Sequence, residues 1–417
     1  MSRPDPTIEI TSAPSSQPWL TPGVRGIGLA SLLSDLGHEI PTALLPSFLV
    51  TVLGAPAAAL GLIEGIADAL SGVAKVIGGA LADDPGRRRS IAVGGYTLTA
   101  ILSALIGVST AVWQVAIFRT AAWTARGIRG PSRNALLADA VDPTAYGRAY
   151  GFERAMDNAG AVLGPIVALG LVAVIGIRQA IFVSVIPGLL AAVAIVYAVR
   201  HLQRPKERHT APVRIVVRPL LHGPLGRLLV SVSLFEAGNV AATLLILRTS
   251  ELLAPGYGTD GATTIAIVLY VGYNVAATLA ALPAGRLADA YNPRLVFAAG
   301  VACFALAYLA FATGSGIVVL GVAFVLAGIG IGAAETAENA AVAALAPTAL
   351  RGSAFGLLAG IQSAGDFIAS AVVGLVWTLV SPTLAFGLAA VLMVGSLVTM
   401  LLNGDRPRRS KTQQSAE

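Results

Sequence analysis

The sequence has little of what enzyme chemistry usually needs. Of 417 residues one is cysteine, Cys303, and only four are histidine. A single cysteine has no partner for an intramolecular disulfide and cannot build a thiolate metal cage, so redox chemistry and a Cys-based metal centre are excluded. No H-E-x-x-H pair, no P-loop and no glycine fingerprint between a strand and a helix is present. Neither nucleotide-driven work nor a bound cofactor is therefore expected, and with no nucleophile and base set apart in the sequence, neither is an enzyme. Charge is scarce too. Asp, Glu, Lys and Arg make up 12% of the chain, against roughly 25% in soluble domains.

Apolar residues take up the difference. The chain is 55% hydrophobic with a mean hydropathy of +0.77, a composition that belongs in a lipid bilayer. A hydrocarbon core about 30 Å thick needs about 20 apolar residues per helix. Twelve such runs lie near 24–53, 57–82, 90–110, 112–137, 147–175, 178–200, 226–250, 264–286, 293–313, 316–344, 352–379 and 382–402, predicting an all-α membrane protein. The first twenty residues are polar and rich in Pro and Ser. Without an apolar stretch there, no cleaved signal peptide is expected, and the first run must insert by itself.

A net charge of +6 could suggest nucleic acid, but the placement of the cations points to orientation instead. If both termini are cytoplasmic, Lys and Arg cluster at 87–89, 126–154, 200–227, 286–294 and 406–411, all on one side. Of the 28 Lys and Arg, Arg178 and Arg248 fall near outward loops, while Lys75 and Arg119 lie within spans. This asymmetry follows the positive-inside rule and requires an even number of spans.

The longest polar interruption, residues 201–225, divides the runs six and six. It predicts a cytoplasmic tail over 1–23, a six-helix bundle over 24–200, a cytoplasmic linker, a second bundle over 226–402 and a tail over 403–417. Within the linker, Arg214 and Arg218 flank a short apolar segment. That pattern reads either as an interfacial helix on an anionic leaflet or as a flexible linker. Local patterns recur 201 to 206 positions apart. Asp35 is echoed by Glu236, Asp83 by Asp289, Gly147 by Gly352 and Gly151 by Gly356. Repeats in this order predict two halves of equal topology, related by an axis along the membrane normal.

Between the second and third runs, Gly79 to Arg88 reads G-A-L-A-D-D-P-G-R-R. It resembles the G-x-L-A-D-[RK]-x-G-[RK]-[RK] signature of the major facilitator superfamily, with Asp84 where that family usually has a cation. The second-half copy keeps Gly285, Asp289 and Arg294 but has Asn292 in place of the second glycine. In this motif Gly79 is expected to allow close helix packing, Gly86 a turn with φ > 0, and Asp83 either a pair with Arg87 or contact with a neighbouring helix N-terminus. Arg87 and Arg88 are expected to hold the loop inside. Gly160, Gly164 and Pro165 resemble the G-x-x-x-G-P core of the family's antiporter motif, where small residues four apart let helices approach and proline bends the span. Arg119 resembles the arginine of the family's R-x-x-x-G motif, although position 123 is Trp. The resemblance covers about residues 24 to 402 and implies alternating access around a central cavity.

Ionisable groups inside the bilayer are costly and are candidates for function. Asp35, His38 and Glu39 project from one face of the first span, and Glu64, Asp68 and Lys75 form a stripe on the second. Pro41 and Pro46 interrupt the first span's backbone ladder and could free carbonyls for the cavity. At about 1.5 Å per residue, Lys75 falls level with Asp35, which predicts either a neutralised Asp35–Lys75 pair or a proton relay through Asp35, His38, Glu39 and Asp68. The same hard N/O set could bind a divalent metal as substrate, although no resident metal is expected. Glu64 is expected in water near the outer mouth, and Asp157 solvated or paired with Arg154. Glu335 and Glu338 are expected to answer cytoplasmic arginines, with Glu236, Asn239 and Asp366 completing the second-half polar set. With the resemblance, these residues imply a proton-coupled secondary transporter of a small molecule in the bacterial plasma membrane, monomeric and with no nucleic-acid partner, and the likeness of Gly160, Gly164 and Pro165 to the antiporter motif implies export rather than import. The rivals are uptake of a nutrient, siderophore or metal ion, and a transporter-like receptor.

Overall fold

The computed structural model describes residues 18–202, 213–314 and 316–402. The N-terminal tail up to residue 17, the linker over 203–212 and the C-terminal tail from 403 lie outside the described residues. The described chain is helical throughout. In the first part, α1 (Pro22–Ser47), α2 (Ala57–Ala82), α3 (Pro85–Leu105), α4 (Val112–Asp139), α5 (Tyr146–Ile175), α6 (Ile177–Val183) and α7 (Val185–His201) follow one another. In the second come α8 (Gly223–Gly238), α9 (Ala242–Ala290), α10 (Pro293–Thr313), α11 (Ile317–Leu345), α12 (Arg351–Leu379) and α13 (Pro382–Leu402).

Among the described residues, seven helical stretches are long and apolar enough to cross a membrane. Two of these, Pro143–His201 with 59 residues and Ala242–Ala290 with 49, far exceed the length of one crossing. Each reverses at a glycine with positive φ, Gly176 at 80° and Gly258 at 71°, a conformation other residues adopt at a cost. The seven leave out α1, α2 and α4, whose apolar runs are interrupted by charged residues, and α8, which has 16 residues.

Helix starts follow capping chemistry. The Asp84 carboxylate accepts from Gly86 N at 2.8 Å and Asn292 Oδ1 accepts from Arg294 N at 2.9 Å, each ahead of a proline at the first helical position, where the missing N–H has no cost. Gly86 thus sits in the first turn of α3 and not in a left-handed turn as expected. Side-chain capping by Asp84 and the fixed φ of Pro85 reverse the chain, so no positive φ is needed there. The helix α1 continues through Pro41 and Pro46 and ends in one wider turn, Phe48–Val52. Of the two readings of the segment around Arg214 and Arg218, the interfacial helix is not the one observed. Residues 213–217 have no helical structure, and only a short 3₁₀ turn, Arg218–Leu221, follows.

Within the first part α1 packs on α5 and α7, and α4 on α2 and α3. Within the second, α11 packs on α9 and α10, and α13 on α8 and α10. Contacts between the parts run through α2 with α12 and α5 with α9. These two seams are tightest at the end bearing the Gly79–Arg88 motif. A methyl group on Gly79 would lie 2.6 Å from Gly356 Cα and 2.7 Å from Gly352 O, and one on Gly151 2.5 Å from Ala281 O. Farther along the same helices a methyl on Gly72 meets only Ser363, at 3.4 Å, and Gly61, Gly65, Gly170 and Gly272 face open space. The two parts are therefore pressed together at the motif end and splayed at the other.

Candidate functional site

The splay encloses a central cavity of about 1160 Å³. Its first-part wall is dominated by α4, where Arg119, Trp123, Arg126, Arg129 and Arg133 recur at intervals of three and four and so share one face. This face zips onto a polar stripe of α1. Arg133 donates to Ser31 Oγ at 3.0 Å, Arg129 to Ser34 Oγ at 2.7 Å, Arg126 to Asp35 Oδ1 at 3.1 Å, and Arg119 to Thr42 Oγ1 at 3.0 Å. Long guanidinium arms bridge two helices whose backbones make little direct contact.

Almost every acid of this wall is matched. Asp35 is paired with Arg126, and His38 lies between them, contacting Arg126 and standing 3.4 Å from Asp35 Oδ1 and 3.1 Å from Glu39 Oε1. Glu64 bonds Arg119 at 3.0 Å instead of standing free in water, and Arg119 stacks 3.3 Å above Trp123. Arg133 joins Glu153 at 2.7 Å and Asp157 at 3.3 Å, and Arg154 joins Asp157 at 3.2 Å and Glu335 at 3.0 Å. Asp68 faces the cavity and accepts from Trp123 Nε1 at 3.0 Å. The residue standing in place of the motif glycine thus supplies both a stacking face and a donor. Arg129, 3% exposed, lies over the Tyr96 ring at 3.7 Å with Nε and Nη1 unbonded.

Several expectations are corrected here. Lys75 does not pair with Asp35, because Arg126 reaches that carboxylate first. Lys75 instead points across the cavity and donates to Ser363 Oγ on α12 at 2.6 Å. Arg126, Arg129, Arg133 and Arg154, assigned by position to one cytoplasmic cluster, line the cavity. For the three arginines of α4 the signal in the sequence was their three-and-four spacing. Glu335 does meet Arg154, an arginine of the expected 126–154 cluster, although both line the cavity, whereas Glu338 is fully buried and bonded by Gln362 at 2.5 Å instead of by an arginine. Asp157 is buried between Arg133 and Arg154, so of its two expected roles the pair with Arg154 is the one observed.

The second-part wall is acidic. Glu236, Glu335 and Asp366 face the cavity together with Asn239. The Asn239 side chain donates to Glu236 Oε2 at 3.2 Å and reaches Asp366 Oδ1 at 3.5 Å. Among the described residues, no lysine or arginine of the second part lines the cavity. Among the described residues no group of three or more His, Cys, Asp or Glu side chains is arranged to hold a metal ion.

The motif end is closed by two carboxylates acting as external helix caps. Asp83 accepts from Ser353 N at 2.7 Å and from Ser353 Oγ at 2.5 Å, at the start of α12. Asp289 accepts from Gly147 N at 2.5 Å, Arg148 N at 3.0 Å and Arg148 Nε at 2.7 Å, at the start of α5. Of the two roles open to Asp83, the helix N-terminus is the one observed. Anions are favoured there by the free N–H groups. Burial pushes the Asp83 carboxyl above the usual carboxylate range, opposed by the Ser353 hydrogen bonds. Arg88, 1% exposed, bonds Ala82 O at 2.6 Å and Asp139 at 2.5 Å, Asp139 accepts in turn from Arg351 at 2.8 Å, and Arg87 pairs with Asp84 at 3.2 Å. Arg294 Nη2 reaches Pro224 O at 3.4 Å. In α5, Gly160 and Gly164 press against α1, where methyl groups would meet Asp35 Cβ at 2.9 Å and the Glu39 side chain closer still; Pro165 lies within the same helix.

The family model described as "Major Facilitator Superfamily" matches residues 27–251 and 249–417. The chain is 27% identical over 380 residues to an uncharacterized protein of Mycobacterium tuberculosis, covering 89% of this chain and 91% of the relative. It is also 27% identical over 384 residues to an uncharacterized MFS-type transporter of Methanocaldococcus jannaschii, covering 92% and 95%. In fold it resembles a bacterial homologue of the iron transporter ferroportin in an outward-facing state, with a TM-score of 0.74 at 15% identity over 91% of this chain and 99% of that one. The E. coli fucose:proton symporter gives a TM-score of 0.72 at 14% identity over 93% and 100%.

Proposed function

The chain belongs to the Major Facilitator Superfamily, and from that premise we propose that it exports a small molecule across the bacterial plasma membrane in exchange for protons. It is a membrane transport protein and not an enzyme, working by secondary active, alternating-access transport. One observation carries the reading: a cavity with one basic and one acidic wall, sealed at the motif end and open at the other. A cavity reachable from one side at a time is what alternating access requires.

The architecture we propose is twelve crossings, in two six-helix halves over 24–200 and 226–402 joined by a cytoplasmic linker. Splitting each of the two overlong stretches at its glycine, and adding α1, α2 and α4, supports that count. With the positive-inside rule the motif end and both termini face the cytoplasm, so the cavity opens outward. Substrate binds among Asp68, Lys75, Trp123, Asn239 and Asp366, and one monomer suffices because the cavity lies within a single chain. Proton coupling is supported by the density of ionisable groups at membrane depth and by the fold shared with a protein named as a proton symporter. Export is supported by the close approach of Gly160 and Gly164 to α1.

The test is transport in proteoliposomes under an imposed pH gradient, with a mixed compound library read by mass spectrometry. At least one compound should move against its gradient and in the direction opposite to protons. Movement only with protons would overturn export, and movement indifferent to the gradient would overturn coupling.

A further inference from the structure

The two halves keep the same contact geometry but not the same charges. Residues 205 positions apart are equivalent in this region, since Asn134 and Asn339 meet each other and Tyr146 meets Arg351. At that interval Arg126, Arg129 and Arg133 correspond to Ile331, Ala334 and Glu338, and Asp157 corresponds to Gln362. The Arg133–Asp157 ion pair of α4 and α5 therefore reappears as a Glu338–Gln362 hydrogen bond between α11 and α12. Asp35, held by Arg126, is echoed by Glu236, whose corresponding partner position is an isoleucine. The second half thus has no counterpart of the arginine ladder; Glu236 keeps the acid of Asp35, and Glu338 stands where the first half has Arg133.

The consequence is a buried carboxyl pair without a cation in contact. Glu236 is 2% exposed, and its recorded side-chain partner is the neutral Asn239. Glu338 is 0% exposed, bonded at Oε1 by Gln362 and left with Oε2 unbonded. The other groups facing the pair from the packed helices are Glu335 of α11, already held by Arg154 of α5, Asp366 of α12 and the Tyr308 phenol of α10. Helix α13 carries no ionisable residue. Two cations come near: Arg154 of α5, bound to Glu335 and Asp157, on the Glu338 side, and Lys75 of α2 on the Glu236 side, whose ammonium donates to Ser363. The helical path breaks beside Glu236. Asn239 ends α8, and the free Val240 N–H is taken by the Tyr308 hydroxyl at 2.9 Å. Interrupted helices at membrane depth are where transporters build ion sites.

An uncompensated carboxylate is strongly disfavoured in such surroundings, whereas a neutral carboxyl can also donate the hydrogen bond that an ionised one cannot. We propose that Glu236 and Glu338, and not the arginine-matched acids of the first half, take up and release the coupling proton. The proton enters from water in the cavity, which Glu236 and Gln362 both line, and rests on a carboxyl oxygen of the pair. This rests on the proton-coupled reading above, but it concerns proton binding and is testable without transport.

The test is infrared spectroscopy of the purified protein, titrated over about pH 5 to 8, reading the carbonyl absorption of protonated carboxyls. The wild type should show this absorption at neutral pH, and E236Q and E338Q should each reduce it. D35N and E39Q should leave it unchanged. Absence of the absorption, or its loss in D35N but not in E236Q and E338Q, would overturn the assignment. Failure of both E236Q and E338Q to fold would overturn it too, because an amide mimics the neutral acid and disturbs only a site that needs the ion. If the infrared result holds while pH-driven transport fails, the coupling reading falls and the proton site stands.

Discussion

Asn134 on α4 donates its side-chain amide to Oδ1 of Asn339 on α11 at 3.1 Å, and the two residues stand 205 positions apart. A residue that touches its own repeat lies close to the axis relating the repeats. The closing contacts obey the same exchange. Asp83 with Ser353 corresponds to Asp289 with Arg148, and Gly79 with Gly356 to Gly285 with Gly151. Closure at the motif end is thus built twice, on opposite sides of one central amide pair, and this exchange supports the pseudo-two-fold arrangement proposed above.

That duplication makes Gly352 a sensitive position. A methyl group there would lie 2.5 Å from Gly79 O and 2.6 Å from Asp83 N, contacts that backbone atoms cannot yield cheaply. Gly352→Ala is expected to destabilise the closed end by about 1–3 kcal/mol and to raise the labelling rate of a cavity cysteine approached from the motif side. A labelling rate equal to wild type would mean that the seam is not the gate.

Asp83 should make closure depend on pH. Its carboxyl lies above the usual range when buried at the seam and returns to an ordinary value once the seam opens to water, so closing takes up protons. For this group closure is most favoured below the ordinary carboxylate range, and that contribution is lost as pH rises through the raised value. Asp83→Asn removes the titrating group, and should flatten the pH dependence of motif-side labelling and lower transport while leaving membrane insertion intact. Labelling curves that superimpose on wild type would show that other groups set the dependence.

Orientation can be tested without a substrate. With Cys303 replaced by serine, a cysteine placed in the 203–212 linker should label only from the cytoplasm, and one at Thr259, beside the Gly258 reversal, only from outside. The opposite pattern would turn the cavity inward and reverse the proposed direction.

The helical runs were legible because bilayer thickness forces each crossing to be about 20 residues of apolar sequence, and the observed boundaries of α2, α4 and α5 fall within two residues of those runs. The Gly79–Asp83 and Gly285–Asp289 copies were legible because close approach admits only glycine and helix capping favours a carboxylate. Side-chain partners were not legible. Placing Lys75 level with Asp35 used rise per residue alone, which ignores azimuth and the reach of a guanidinium, and Arg126 from a third helix took the carboxylate. The charge reversal from Arg133 to Glu338 takes its meaning only from the contact of Glu338 with Gln362.

The Asp35–Arg126 pair yields the sharpest test of that correction. Asp35 is buried, with its side chain 7% exposed, while the Arg126 side chain is 30% exposed toward the cavity. Removing Arg126 strands a carboxylate away from water, so Arg126→Gln should cost up to about 3 kcal/mol. Asp35→Asn leaves a cation that cavity water can solvate and should cost less. If the two act as a pair, Asp35→Asn with Arg126→Gln should recover most of the loss, giving a coupling energy of about 1 kcal/mol or more. Combining Asp35→Asn with Lys75→Gln should recover nothing, because Lys75 bonds Ser363 on the opposite wall. Thermal melting in detergent of the three single and two double variants measures both couplings. Rescue by the Lys75 variant instead of the Arg126 variant would restore the pairing read from helix rise and refute the arginine ladder as the scaffold of the basic wall.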